Sequence, residues 1–186
     1  MKVTPTRIPE VLLIEPKMFG DARGFFYESF NGLAFAKATG LHLQFVQDNH
    51  SKSAYGVLRG LHYQIQQPQG KLVRVVAGEV FDVAVDLRRS SATFGQWVGA
   101  ELSAKNGNQL WIPPGFAHGF CTLTHDTVIN YKVTSYYSAE HDKGLAWNDP
   151  ALSIIWPPEA DPETLSAKDR LQPRLADLPP YFSIEV

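Results

Sequence analysis

The sequence has a single cysteine, no long apolar run and little net charge. Cys121 is the only cysteine among 186 residues, which excludes an internal disulfide and a cysteine-rich zinc site and is typical of a reducing compartment. No run of about 18 apolar residues occurs, so we predict no membrane-spanning helix. The N-terminal segment has only a short apolar stretch between Pro9 and Pro16, unlike a secretory signal, and this predicts a cytoplasmic protein.

The charge balance limits the class of partner. Seventeen basic residues against nineteen acidic ones give a formal net charge of −2. General nucleic-acid binding depends on an excess of positive charge, so we predict no nucleic-acid partner. A local pocket for one anionic ligand stays open.

Short segments rich in β-branched and aromatic residues alternate with turn residues, which predicts an all-β sandwich or barrel in one domain, 1–186. The predicted strands are 11–15, 25–30, 43–48, 56–65, 71–77, 79–87, 95–102, 109–112, 117–124, 127–137 and 152–156. The clearest is 79–87, where Phe81, Val83 and Val85 alternate with a second face that is unusually acidic for a core. That face consists of Val80, Asp82, Ala84 and Asp86.

Little helix is expected. One helix is predicted from an N-cap at Asn31 through the segment GLAFAKAT to Gly40, which ends it. Residues 157–186 are rich in proline with recurring leucines, and they predict a tail of loops and short helical turns packed on the sandwich.

Two segments place histidines in turn-rich strand sequences. In GNQLWIPPGFAHGF, the spacing of Pro113, Gly115 and His118 resembles the second signature of the cupin superfamily, whose members are jelly-roll β-sandwiches. In GVLRGLH, Gly56 and His62 resemble the first signature. Either motif alone fits a turn or a hydrogen-bonded core histidine, but both motifs in order on a β-rich chain favour a cupin.

The first motif departs from that of metal-binding cupins, which supply His-x-His and then a glutamate. Gln64 occupies the second histidine position, and QQPQG stands where the glutamate belongs. A glutamine amide is a poor ligand for a transition metal, so only His62 and His118 remain and we predict no bound metal. A histidine without a metal is available as a base, because its reference pKa of about 6.5 suits proton transfer near neutral pH.

Seven blocks occur in order along the chain: FGDARGFFYESF, FVQDNHSKS, VLRGLHYQ, QGKLVRVVAGEVFDVAVDLR, FGQWVGAELSA, QLWIPPGFAHGF and YKVTSYYS. Together they resemble the dTDP-4-dehydrorhamnose 3,5-epimerase family, from about Ile8 to the LSAKD segment of the tail. The resemblance implies an enzyme that converts dTDP-4-dehydro-6-deoxy-D-glucose to dTDP-4-dehydro-L-rhamnose without a cofactor. It also implies a homodimer in which N-terminal strands extend the partner's sheet and add residues to its pocket.

The resemblance assigns the catalytic roles. His62 is the base that takes each proton, and Asp169 orients and supports its ring. Tyr131 is the acid that delivers a proton to the opposite face of the sugar. Lys71 holds the developing oxyanion and contacts the substrate, and His118 lines the same pocket.

The resemblance also assigns the remaining substrate contacts. Arg23 and Arg59 match positions that bind the diphosphate, and Tyr137 matches an aromatic that stacks on thymine. Other implied ligand contacts are Glu28, Gln47, Asn49 and Lys168. Relatives often have a glutamate near Asp142, and the shorter aspartate side chain leaves its ligand contact open.

Arg59 and His62 set a geometric condition on this scheme. They are three residues apart, so a regular strand would send their side chains to opposite faces, although both are implied in one pocket. Gly60 lies between them, and we predict a bulge or twist there, or a site at the strand end.

Three alternatives stay open. A single-site epimerase or a ketoisomerase of the same sugars would share the fold and the base. A non-catalytic cupin that only binds a nucleotide sugar would have no need of both His62 and Tyr131. A metal-dependent dioxygenase is disfavoured by Gln64.

Overall fold

The structure, a computed structural model, describes residues 1–183. The strands are β1 Lys2–Pro5, β2 Leu12–Glu15, β3 Phe19–Asp21, β4 Gly24–Phe26, β5 Gln47–Ser53, β6 Leu58–Gln64, β7 Lys71–Ala77, β8 Glu79–Asp86, β9 Trp97–Ser103, β10 Gln109–Ile112, β11 Phe116–Thr122, β12 Thr127–Val133 and β13 Asp142–Gly144. The α-helix α1 spans Gly32–Thr39, and short 3₁₀ helices span Pro162–Thr164, Asp169–Leu171 and Leu175–Asp177.

Two antiparallel sheets form the predicted sandwich, so the all-β fold class is confirmed. One sheet has the strand order β1-β2-β10-β7-β12-β5, and the other has the order β13-β6-β11-β8-β9. Among the strands that the structure describes, β3 and β4 pair only with each other, as a separate hairpin. The hairpin therefore adds nothing to either sheet within one chain.

The core lies between the two sheets. Val73 and Ile129 of the six-stranded sheet belong to the same buried cluster as Ala84 and Phe116 of the other sheet. A second cluster covers the outer face of the five-stranded sheet, where Val83 packs with tail residues such as Leu175. Strand β8 is thus buried on both faces, and Asp82 and Asp86 share the inner face with Val80 and Ala84.

Helix α1 has the predicted bounds and caps. The Asn31 side-chain oxygen accepts a hydrogen bond from the Ala34 N–H, and Gly40 ends the helix in the left-handed conformation with φ of 74°. Phe35 is buried and packs edge to face against Trp111 on the outer face of the six-stranded sheet. The helix therefore covers that face, away from the space between the sheets.

Several strand predictions differ from the structure. The strand predicted at 25–30 ends at Phe26, the one at 127–137 ends at Val133, and β1, β3 and β13 were not predicted. The predicted strand 152–156 was wrong: the segment is a loop, and its alternating residues Leu152, Ile154 and Trp156 pack on the outer cluster of the five-stranded sheet. Alternation here reflects burial of every second side chain without a neighbouring strand to pair with. The strand expected at 43–48 begins instead at Gln47 and continues to Ser53, paired with β12.

The tail winds over the outer face of the five-stranded sheet. Its leucines at 165, 175 and 178 are buried. The buried Asp149 carboxylate accepts hydrogen bonds from the Ala151 N–H and, in the tail, from the Leu175 N–H. None of the helices within residues 1–183 is long and apolar enough to cross a membrane.

Candidate active site

A cavity of about 250 Å³ opens between the two sheets. The five-stranded sheet contributes His62, His118 and Phe120 to its lining, and the six-stranded sheet contributes Lys71 and Tyr131. A neighbouring cavity of about 490 Å³ shares Arg59, His62 and Asp142 and adds Lys168 and Asp169. The two cavities adjoin at Arg59, His62 and Asp142, and together they form the candidate site.

His62 and Asp169 form a close pair. The His62 Nε2 atom lies 2.6 Å from the Asp169 Oδ1 atom. Burial by itself raises the pKa of Asp169, but hydrogen bonds and charge from His62, with the Gly60 N–H and Ser166, lower that pKa below its ordinary value overall. In the neutral imidazole, donation of Nε2–H to this ionised carboxylate leaves the lone pair on Nδ1, where a base needs it.

Strand β6 is irregular at the predicted position. Its pairing with β11 joins His62 to His118 but Arg59 to Phe120, so the register shifts between these pairs. Gly60 has φ of 114°, and a Cβ atom there would approach the Gly119 Cα atom to 2.7 Å. The predicted bulge is confirmed, and it lets both Arg59 and His62 line the cavity.

Lys71 is buried at the start of β7. Its Nζ atom donates a hydrogen bond of 3.3 Å to the His62 carbonyl. Burial lowers the pKa of Lys71 to about 8, against the opposing charges of Asp142 and Asp82. The ammonium group thus faces the cavity from the sheet opposite to His62.

Asp82 is a site residue that the sequence reasoning missed. Its Oδ1 atom lies 2.7 Å from His118 Nε2, and its side chain is fully buried beneath the cavity. The unusually acidic inner face of β8 was the signal that could have identified it. The other acidic residue of that face, Asp86, has a structural role, since it binds Arg88, Ser91 and Thr93.

Tyr131 faces the cavity from β12. Burial raises the pKa of its phenol above the ordinary value, with Arg59 opposing and Asp142 and Tyr137 adding to the rise. The phenol therefore stays protonated at neutral pH. It belongs to the sheet opposite to that of His62.

The rim of the cavity carries a chain of polar contacts. The Tyr137 hydroxyl donates to Asp142 Oδ2 at 3.2 Å, and Lys168 Nζ donates to the same oxygen at 2.5 Å. Gln47 Nε2 donates to Asn49 Oδ1 at 2.8 Å, on the same face of β5 as the cavity-lining Ser51. Despite its shorter side chain, Asp142 lines both cavities.

Four predicted site residues line neither cavity: Gln47 and Asn49 lie on the same face of β5 as Ser51, and Arg23 and Glu28 lie in and just after the β3–β4 hairpin. Arg23 projects from the β3–β4 hairpin, where its side chain is 90% exposed and pairs with Asp21. Glu28 accepts a hydrogen bond from Asn31 Nδ2. Neither lines the cavity, so one chain does not bring them to His62.

Within residues 1–183, no group of three or more His, Cys, Asp or Glu side chains is arranged to hold a metal ion. The Nε2 atoms of His62 and His118 are each turned to an aspartate. Gln64, at the position where a metal cupin has its second histidine, uses its amide in hydrogen bonds to backbone groups.

Comparison with known proteins identifies the family. The sequence model of dTDP-4-dehydrorhamnose 3,5-epimerase matches residues 5–177. The dTDP-4-dehydrorhamnose 3,5-epimerase of Pseudomonas aeruginosa is 59% identical over 177 residues, which cover 95% of this chain and 97% of that protein.

Solved structures of similar fold support the same family. A dTDP-6-deoxy-D-glucose-3,5-epimerase from Legionella pneumophila, in complex with dTDP-4-keto-L-rhamnose, has a TM-score of 0.94 and 49% identity, covering 100% of this chain and 98% of that one. A 3'-monoepimerase from Streptomyces bikiniensis, in complex with dTDP-quinovose, has a TM-score of 0.87 and 34% identity, covering 95% and 88%. The chain belongs to the dTDP-4-dehydrorhamnose 3,5-epimerase family and is an enzyme of the isomerase class.

Proposed function

We propose that the chain converts dTDP-4-dehydro-6-deoxy-D-glucose to dTDP-4-dehydro-L-rhamnose, with His62 as base and Tyr131 as acid. The named relatives and the Legionella complex support this reaction. One observation supports the roles most strongly: the His62 imidazole, paired with Asp169, and the Tyr131 phenol come from opposite sheets and border one cavity. Inversion of a carbon needs a group on each side of the sugar ring.

The chemistry follows from the ketone at carbon 4. The hydrogens on carbons 3 and 5 both lie next to it, so His62 removes either one and leaves an enolate. Lys71 stabilises the negative charge on the enolate oxygen. Tyr131 protonates the opposite face of the same carbon, and the imidazolium and phenolate then return to their starting forms through proton exchange with water. Two such cycles need no redox cofactor.

The nucleotide half of the substrate extends from the wall shared by the two cavities, at Arg59 and Asp142, to Tyr137 at the rim of the first cavity. Arg59 and Lys168 bind the diphosphate there, because a guanidinium and an ammonium provide charge-assisted hydrogen bonds to its oxygens. Tyr137 stacks on thymine, and its exposed ring at the cavity rim supports this role. Gln47, Asn49 and Asp142 contact the nucleoside or sugar, and His118 contacts the sugar.

We infer that two chains form a homodimer and that Arg23 and Glu28 act in the partner's pocket. The hairpin that carries Arg23 pairs with neither sheet of its own chain, and its aromatic rings Phe19, Phe25 and Phe26 are 55%, 59% and 70% exposed. Such a hairpin suits a second protein surface.

The single cysteine, which is buried and free, supports a reducing compartment, and we place the enzyme in the cytoplasm.

Hydrogen exchange in heavy water tests the reaction. The protein is incubated with dTDP-4-dehydro-6-deoxyglucose in deuterium oxide, and both ring positions are followed by NMR. We expect deuterium at carbons 3 and 5 with formation of the inverted sugar. A His62→Ala variant loses this exchange and still binds dTDP. Exchange at neither carbon would contradict catalysis and leave a binding protein.

A single-site epimerase is the second candidate, because the Streptomyces structure of similar fold is named a 3'-monoepimerase. The two candidates share the base, the acid and the fold. The same exchange experiment separates them, since a single-site enzyme incorporates deuterium at one carbon only.

A further inference from the structure

Gln64 has hydrogen bonds that no catalytic role explains. Its side chain is buried at the end of β6 beside the cavity, with 4% of the residue exposed. The Nε2 group donates to the Gln67 carbonyl at 2.8 Å and to the Tyr136 carbonyl at 3.1 Å. The Oε1 atom accepts a hydrogen bond of 2.9 Å from the Ser138 N–H. The amide therefore uses both its donor and its acceptor ends on backbone groups.

A second glutamine completes the arrangement. Gln47, on the six-stranded sheet, accepts a hydrogen bond of 3.1 Å from the Tyr137 N–H through its Oε1 atom. Backbone groups of three consecutive residues, Tyr136, Tyr137 and Ser138, are thus held by two side-chain amides from opposite sheets. We call this arrangement the amide clamp.

The amide clamp holds residues 136–138, a segment that makes little packing contact of its own. The residues Tyr136 and Tyr137 are 64% and 57% exposed, and β12 ends before them at Val133. An exposed segment of this kind samples several backbone conformations unless hydrogen bonds select one of them. The Tyr137 hydroxyl is fixed as well, by its bond to Asp142. The ring is therefore held at its backbone and at its tip.

We propose that Gln64 is a positioning residue for nucleotide binding: with Gln47 it fixes the backbone at Tyr137, so that the ring stands ready to stack on the base. This proposal rests on the thymine-stacking role of Tyr137 in the proposed function. A ring fixed in its binding orientation loses less conformational freedom when the ligand arrives, which strengthens binding without a direct contact. The position that binds a metal in other cupins thus serves the nucleotide end of this site.

Substitution of Gln64 by methionine tests the proposal, because methionine keeps the length and volume of the side chain and removes all three hydrogen bonds. Calorimetry with dTDP measures binding without any need for turnover. We expect Gln64→Met to raise the dissociation constant for dTDP about tenfold. Without the clamp, the segment at Tyr137 has to become ordered when dTDP binds, and the lost conformational freedom weakens binding. Gln64→Glu keeps the acceptor for Ser138 but turns an oxygen towards two carbonyls, so it weakens binding as well.

Gln96→Met is the control. Gln96 lines neither cavity, and its Nε2 group donates to the Ala92 carbonyl, so this variant also removes a hydrogen bond between a glutamine amide and the backbone. It changes the dissociation constant by less than about twofold if the clamp acts at Tyr137. An equal loss in Gln64→Met and Gln96→Met would overturn the proposal, because it would mean that loss of such a bond anywhere in the chain weakens binding.

Coupling to Tyr137 separates positioning from general damage to the fold. Tyr137→Leu weakens dTDP binding by itself, and in that background Gln64→Met adds less than about a further twofold, since the ring that it positions is gone. A full tenfold loss in both backgrounds contradicts the proposal. Failure of the unaltered protein to bind dTDP would instead contradict the proposed function, so the two failures are distinguishable.

Discussion

Two histidines of the cavity have aspartate partners but differ in access. The His62 side chain is 37% exposed and that of His118 is 9% exposed, while their partners Asp169 and Asp82 are 5% and 0% exposed. A base must meet the carbon-bound hydrogen of a substrate that enters from solvent, which favours His62. His118 is held more deeply, and this suits a group that contacts the sugar without exchanging its proton.

The acid can be tested apart from the base. Tyr131→Phe removes only the phenol oxygen, so His62 still takes a proton and can return deuterium to the same face. We expect formation of the inverted sugar to fall by about 10²–10⁴, while deuterium still enters in the original configuration. NMR of the sugar in heavy water measures both quantities. Tyr181→Phe, on the far side of the five-stranded sheet, is the control. Loss of exchange and inversion together would contradict separate roles.

The pKa of Lys71 predicts how kcat/KM falls at high pH, on the basic limb of the pH profile. Its pKa of about 8 means that the ammonium form predominates below that pH and is lost above it. If the ammonium holds the enolate oxygen, kcat/KM falls as the pH rises through about 8. Tyr131 does not set this limb, because burial raises the pKa of its phenol.

Asp82→Asn tests the source of that limb. The charge of Asp82 raises the pKa of Lys71 against the effect of burial, so its removal moves the limb to lower pH. The asparagine oxygen still accepts the His118 N–H, which keeps the shape of the site. Profiles of kcat/KM against pH for both proteins provide the measurement. A limb at the same pH in the two proteins would exclude Lys71 as its source.

At the scale of elements, one glycine, Gly60, makes strand β6 irregular at the site. The register shift at Gly60 brings Arg59 and His62 to one cavity, and a side chain there would meet the His118 carbonyl and Gly119 Cα, each at 2.7 Å from Cβ. Gly60→Ala also forces a residue with a side chain to φ of 114°. We expect a loss of about 1–3 kcal/mol in the free energy of unfolding, measured by urea denaturation, and a lower kcat.

Gly32→Ala is the comparison for that variant. Gly32 begins α1, and no atom lies within 4 Å of a Cβ built there. Alanine favours a helix over glycine, so this variant does not destabilise the protein. Equal stability of both variants would show that the bulge tolerates a side chain.

The sequence predicted elements where local chemistry decides the structure, and it was wrong where long-range packing does. Helix α1 was predicted because Asn31 and Gly40 provide both of its caps. The irregularity at Gly60 was predicted from the three-residue separation of Arg59 and His62, from the glycine between them, and from the single pocket that the family resemblance implies for both. The false strand at 152–156 shows that alternation reports burial of one face and not strand pairing. The acidic face of β8 marked Asp82 as unusual, but its pairing could not be assigned from sequence, because its partner His118 lies 36 residues away on another strand.

At the scale of the whole molecule, the active site needs the tail. Asp169 lies in a 3₁₀ helix of the tail and reaches His62 across 107 residues of sequence. The tail is held over the five-stranded sheet by buried leucines and by the Asp149 carboxylate. Burial of those leucines thus fixes the partner of His62, the proposed base, as well as stabilising the fold.

One chain does not supply every predicted residue of the site. Arg23 is exposed and does not line its own cavity, so in a homodimer each site would combine His62 of one chain with the hairpin of the other. This predicts complementation between two defective chains. A dimer of one His62→Ala chain and one Arg23→Ala chain contains one site with both residues intact and one with neither.

Coexpression with two different affinity tags isolates that mixed dimer. We expect it to show about half of the turnover of the unaltered dimer, because one of its two sites is complete, while each variant homodimer is strongly impaired. If Arg23 served its own chain, both sites of the mixed dimer would lack one residue and no activity would return. A mixed dimer no more active than the two homodimers therefore contradicts exchange of the hairpin between chains.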